Sequence, residues 1–105
     1  MNAVFKALAD PTRRKVLELL REQPLTAGEL AAHFPVSRPT MSAHFAVLRE
    51  ADLIEATKIG TTITYQLKLS VLEDALLGFA RLFATRTADN APAAPAITLK
   101  DGAAK

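Results

Sequence analysis

Apolar residues recur along this chain in short bursts at helical spacing, and each burst is cut off by a proline, a glycine or a capping residue. Val4, Phe5 and Leu8 make the first stripe. Asp10-Pro11 marks a new start, with Asp10 placed to cap and Pro11 at the first helical position. Val16, Leu17, Leu19 and Leu20 then give the apolar face of a helix that ends before Pro24. Thr26-Ala-Gly-Glu29 has the form of a capping box and opens a short helix through Leu30 and Ala31. Phe34-Pro35-Val36 breaks it. Ser37 caps the next helix, which carries Pro39 in its first turn and Met41, Phe45 and Leu48 on one face. After Leu53 the period changes. Ile54 to Ile59 and Thr62 to Leu67 are rich in β-branched residues and flank Gly60-Thr61, which predicts a β-hairpin. Ser70-Val-Leu-Glu73 reads as a second capping box, opening a last helix to about Thr85. The order α-α-α-α-β-β-α is mainly α with a small β-hairpin. Two short helices joined by a tight break ahead of a hairpin make the winged helix-turn-helix arrangement.

The 105 residues are room for one domain, predicted over residues 1–86. Residues 87–105 hold seven alanines, two prolines and only two large aliphatics, Ile97 and Leu99. That stretch buries too little to offset its ordering entropy and is expected to be a flexible Ala/Pro-rich tail. The absence of cysteine excludes a disulfide framework, a thiolate zinc site and a cysteine nucleophile. No apolar run approaches the ~18 residues of a membrane span, and the opening residues lack the pattern of a secretory signal, so the expected location is the cytoplasm. A net charge of +2 is a weak argument for nucleic acid, and any such argument rests on arrangement.

The helix from Arg38 to Glu50 supplies that arrangement. With Met41, Phe45 and Leu48 turned inward, Pro39, Thr40, Ser42, Ala43 and Ala46 fall on the opposite face, flanked by Arg38 and His44. This face is uncharged and short-chained, which suits close approach to base edges in a major groove. Hydroxyls donate or accept there, alanine touches a thymine methyl, and Arg38 forks onto guanine or holds a phosphate. A protein-binding adaptor would carry large apolar or acidic anchors on such a face. Ser42 and His44 do not form a catalytic pair, because positions i and i+2 on a helix do not face each other. His33 and His44 stand too far apart in sequence to suggest zinc, and no enzymatic motif is present. In Arg13-Arg14-Lys15, Arg14 is expected to pair with a carboxylate, while Arg13 or Lys15 is placed to meet phosphate.

Ten of the fourteen residues from Val71 to Ala84 are apolar, interrupted by Glu73, Asp74, Gly78 and Arg81. In so small a domain one side of that helix faces the core, and the rest demands a partner. A second copy of the chain is the expected one, covering Leu72, Leu76, Phe79, Ala80 and Phe83.

The segments ADPTRRKVLELL (Ala9–Leu20), LTAGELAAHFPVSRPTMSAHFAVLREADLI (Leu25–Ile54) and the hairpin ending TYQL (Thr64–Leu67) resemble the ArsR family of winged helix repressors, and within it a metal-independent branch. The resemblance covers about two-thirds of the chain. It implies a sequence-specific, homodimeric repressor on an inverted-repeat DNA operator, with no catalysis and no cofactor. It implies base reading from the positions held here by Arg38, Pro39, Thr40, Ser42 and Ala43, with His44 adjacent and Ser37 at the helix start. Thr26 and Ala27 are placed to meet the DNA backbone. The hairpin tip, Lys58-Ile-Gly-Thr61-Thr62, is placed for flanking contacts, although only Lys58 keeps a charge there. The first helix, through Val4, Phe5 and Leu8, is expected to complete the dimer interface with the last. The family's cysteine site falls on Leu25–His33, which has no cysteine, and its Asp/His site falls on Val71–Thr85, which has no histidine; no metal sensing is expected. The branch implies autoregulation, or sequestration on a membrane-bound partner. A ligand held between the last helices is the alternative control.

Overall fold

In the computed structural model, which describes residues 2–90 and side chains as far as Ala84, three capping residues divide the helical part of the chain. Asp10 precedes α2 (Pro11–Glu22), and its carboxylate accepts from the amides of Thr12 at 2.8 Å and Arg13 at 3.2 Å. Thr26 opens α3 (Ala27–Ala31) with a complete capping box. Its hydroxyl accepts from the Glu29 amide, while the Glu29 carboxylate accepts from the Thr26 amide. Ser37 opens α4 (Arg38–Glu50), its hydroxyl accepting from the Thr40 amide at 3.2 Å. A first helix, α1 (Asn2–Leu8), runs ahead of these.

The hairpin forms over the predicted residues, β2 (Ile54–Ile59) and β3 (Thr62–Leu67), with Ile54 opposite Leu67 and Ile59 opposite Thr62. Gly60 supplies the positive φ, 63°, at the first position of the two-residue turn. A further strand, not read from the sequence, joins the hairpin. Leu25–Thr26 forms a short strand, β1, whose residues pair with Tyr65 and Thr64, so the sheet has three strands in the order β1-β3-β2. Thr26 therefore ends a strand and caps a helix at once.

The end of α4 is built by long-range fit. Asp52 adopts φ 62°, the left-handed conformation that ends a helix. The Leu53 amide returns to the Leu48 carbonyl and the Asp52 amide to that of Arg49, which together make a Schellman motif. Leu48 and Leu53, the apolar pair that accompanies this motif, are both fully buried.

The last helix, α5, spans Leu69–Asn90, which corrects both predicted ends. Ser70 lies inside it and is not its cap. The start is set by Lys68, whose amide donates to the Leu53 carbonyl at 2.8 Å and whose ammonium meets Asp52 at 2.8 Å. The ordinary helix formers Arg86 and Ala88 carry it past Thr85, so the boundary expected at residue 86 falls within α5. The proposed tail beyond Asn90 lies outside the described residues.

The chain falls into two units, residues 1–75 and 76–105. In the first, Val4 and Ala7 of α1, Val16, Leu17 and Leu20 of α2, Leu30 of α3, and Met41, Phe45 and Leu48 of α4 close one core with Ala51, Leu53, Ile54 and Tyr65. Phe45 meets Tyr65 with ring centroids 4.7 Å apart. Each fully buried leucine here contributes roughly 1.5–3 kcal/mol relative to exposure. Val4 is thus a core residue of the protomer, which removes it from the surface expected to form an interface. The described part of the second unit is helical, with Phe79 and Phe83 in edge contact and Leu76, Leu77, Phe79, Leu82 and Phe83 exposed.

Candidate nucleic-acid interface

The underside of α4 is locked by Met41, Phe45 and Leu48, so its upper side has to face solvent. Pro39, Thr40, Ser42, Ala43 and Ala46 are all exposed, as the helical spacing requires. Arg38 is exposed at the head of the helix. Ser37 is engaged locally, since its hydroxyl donates to Thr40 Oγ1 at 2.9 Å and accepts from the Thr40 amide. Thr40 keeps its own hydroxyl proton to donate outward.

The fold also gathers residues that the sequence holds far apart. Thr26, Ala27 and Gly28 from the start of α3, Arg38 from α4, and Thr61, Thr62 and Ile63 from the wing line one groove of about 320 Å³. Three hydroxyl side chains and one guanidinium face this space, and none of its lining residues is acidic. That donor set suits phosphodiester oxygens. Arg38 and Ser42 also border a small cleft against Ala27 and Ala31 of α3, so Arg38 leans to the α3 side of the exposed face. Lys58 is exposed on the wing, and Ile59 beside it is 75% exposed.

His44 departs from expectation. It is turned under α4, its side chain 16% exposed, with Nδ1 3.1 Å from Arg13 Nη1 and Nε2 3.9 Å from Asp10 Oδ2. It lies beneath the exposed face and does not stand on it. Burial works to raise the pKa of Asp10. The Arg13 and Thr12 amides, together with the neighbouring His44 and Arg13 side chains, outweigh that effect and hold its carboxyl below the usual carboxylate range. Arg13 and Arg14 also differ from expectation. Arg13 donates to the carbonyls of Lys6 and Ala7, and Arg14 to that of Leu8, so both close the C-terminus of α1. The sequence signal for this role was a seven-residue helix with no cap of its own, followed by two arginines. Of the expected interface residues, Phe5, Leu8 and Leu72 are half-buried, while Leu76, Phe79, Ala80 and Phe83 are exposed.

Among the described residues no three of His, Cys, Asp and Glu gather closely enough to hold a metal ion, and no helix is long and apolar enough to cross a membrane.

A helix-turn-helix domain model matches residues 8–57. Transcriptional repressor SdpR of Bacillus subtilis (strain 168) is 46% identical over 76 residues, which is 72% of this chain and 84% of that protein. Among solved structures, an ArsR family transcriptional regulator superposes with a TM-score of 0.76 at 31% identity, covering 82% of this chain and 94% of its own. A homodimeric winged helix-turn-helix DNA-binding domain from Mycobacterium bovis shares the fold at 24% identity, with a TM-score of 0.63 over 90% of this chain and 86% of its own.

Proposed function

Because this chain belongs to the ArsR family of winged helix-turn-helix regulators and is a DNA-binding transcriptional repressor, not an enzyme, we propose that it acts as a metal-independent homodimer on an inverted repeat. The observation that carries the reading is the neutral, short-chained face Pro39-Thr40-Ser42-Ala43 on a helix whose reverse is fixed in the core. Such a face approaches base edges closely and supplies little non-specific attraction, so one copy binds weakly. Two copies related by a twofold axis place two reading helices about one DNA turn apart, roughly 34 Å, and their contacts add.

The second copy is assigned to the exposed apolar side of α5, with Leu76, Phe79, Ala80 and Phe83, and to Phe5, Leu8 and Leu72. Five large apolar side chains exposed within eight residues of one helix need cover in water. Metal independence is supported by the lack of cysteine throughout the chain and of histidine in Val71–Thr85. Acting on the chromosome places the protein in the cytoplasm. Repression of its own gene, relieved by sequestration on a membrane-bound partner, is the control that the SdpR-like resemblance favours.

Selection of bound duplexes from a random library by the purified chain tests this. The expected product is an inverted repeat with half-site centres about one turn apart, enriched equally with added zinc or with chelator. No enrichment, or a single half-site bound by a monomer, would overturn the reading.

A further inference from the structure

Arg13 makes more directional contacts than any contact to the reading face requires. Its side chain joins three segments. Nε donates to the Ala7 carbonyl at 2.9 Å and Nη2 to the Lys6 carbonyl at 2.9 Å, both in the last turn of α1. Nη1 lies 3.1 Å from Nδ1 of His44 on α4. A guanidinium offers only N–H donors, so Nδ1 is the acceptor and the imidazole carries its proton on Nε2, toward Asp10. The Ala7 carbonyl is one that a helix end leaves without an intrahelical partner, and the Lys6 carbonyl also accepts from the Ala9 amide at 3.2 Å. By binding both, α1 fixes the plane of the guanidinium, and the remaining edge of that plane points at α4.

This bond gives α4 a directional restraint. Met41, Phe45 and Leu48 hold its underside, but apolar burial is non-directional and tolerates some roll about the helix axis. A hydrogen bond weakens steeply with angle. His44 is one helical turn beyond Thr40 and adjacent to Ala43, so fixing its ring fixes the outward direction of both.

We propose that Arg13 is a positioning residue for DNA recognition: it ties His44 to the C-terminus of α1 and thereby sets the roll of α4. The proposal rests on the reading of the Thr40–Ala43 face as the one that meets base edges. It also adds a directional tie between α1 and the reading helix to the apolar packing of Val4 and Ala7 in the shared core.

The test uses the full chain and a duplex carrying the sequence that the wild-type chain selects. His44→Leu removes the acceptor and keeps an apolar filling. His44→Asn keeps an uncharged acceptor, Oδ1, close to the place of Nδ1. Arg13→Gln removes the clamp. Losing a bond to a charged donor is expected to weaken operator binding about tenfold for His44→Leu and for Arg13→Gln. The combined variant is expected to be no weaker than Arg13→Gln alone, because Arg13→Gln already breaks the bond that His44→Leu removes. His44→Asn is expected to stay within about threefold of wild type, with helix content and oligomeric state unchanged in all.

Two results would overturn the proposal. One is His44→Asn binding as weakly as His44→Leu. The other is a combined variant whose loss is the product of the two single losses, which would make His44 and Arg13 act independently. If Arg13→Gln fails to fold, the leucine and asparagine variants decide alone. A wild-type chain that selects no duplex would instead sink the reading face, and this proposal with it.

Discussion

Replacing Arg38 with alanine separates two ways in which a cation at the head of a reading helix can act. Its side chain borders the groove formed with Thr26, Thr61 and Thr62, which under the proposed function would put it against the sugar–phosphate backbone and not a base edge. A contact of that kind works by releasing condensed counterions. Each one contributes about 0.9 to the slope of log affinity against log salt concentration. On a twofold site two copies of Arg38 are lost, so the slope should become shallower by about 1.8. Raising salt from about 50 to 200 mM, a fourfold change, costs the wild type about 3.5-fold more affinity per contact, or about twelvefold for both. The deficit of Arg38→Ala should therefore be largest at low salt and shrink by about twelvefold across that range. Preference among single-base variants of the operator should not change. Fluorescence anisotropy titrations at four salt concentrations, on the operator and on a set of its single-base variants, measure both quantities. An unchanged slope would refute the reasoning if preference also flattened at one base pair, a loss of about 1–3 kcal/mol. Arg38 would then sit on a guanine edge, and the groove would not be a backbone seat.

Two further predictions concern the frame and its pairing. Asp52→Gly should leave urea stability within about 0.5 kcal/mol of wild type, since relief of the left-handed backbone offsets the loss of the exposed pair with Lys68; Asp52→Ala, which loses the pair and keeps the strain, should be about 1 kcal/mol less stable than Asp52→Gly. Equal costs for the two would mean that the ion pair, and not the handedness at φ 62°, dominates there. Phe83→Glu alters a side chain that is 74% exposed, so far-UV dichroism should be unchanged, while the dimer dissociation constant measured by sedimentation should rise by about a hundredfold or more. A dimer that persists at the same concentration would remove α5 from the interface.

What the sequence made legible divides along the range of the forces involved. The caps at Asp10, Thr26 and Ser37 are chemistry within three residues, and all three form where the pattern put them. The strands Ile54–Ile59 and Thr62–Leu67 are likewise local, since β-branched runs on either side of Gly60 can only turn back on each other. Leu25–Thr26 escaped because its strand character comes from Tyr65 and Thr64, about forty residues on, while its own sequence announces a helix cap. Ser70 misled for the converse reason. A good local box lost to Lys68, whose bonds to Leu53 and Asp52 fix where the chain turns into α5.

The same division runs through the site. Helical spacing identifies which face of α4 is turned outward, because the opposite stripe is a local property of Met41, Phe45 and Leu48. It cannot say that His44, at the edge of that face, is drawn under by an arginine 31 residues earlier. Nor can it say that Arg38 shares a groove with Thr61 and Thr62. A face is fixed by apolar burial, which depends on periodicity. The direction of one side chain within that face is fixed by hydrogen bonds, which depend on what the fold brings alongside. Substitutions at Thr40 or Ala43 should therefore act on recognition alone, whereas those at Arg13 and His44 should act on recognition through the frame.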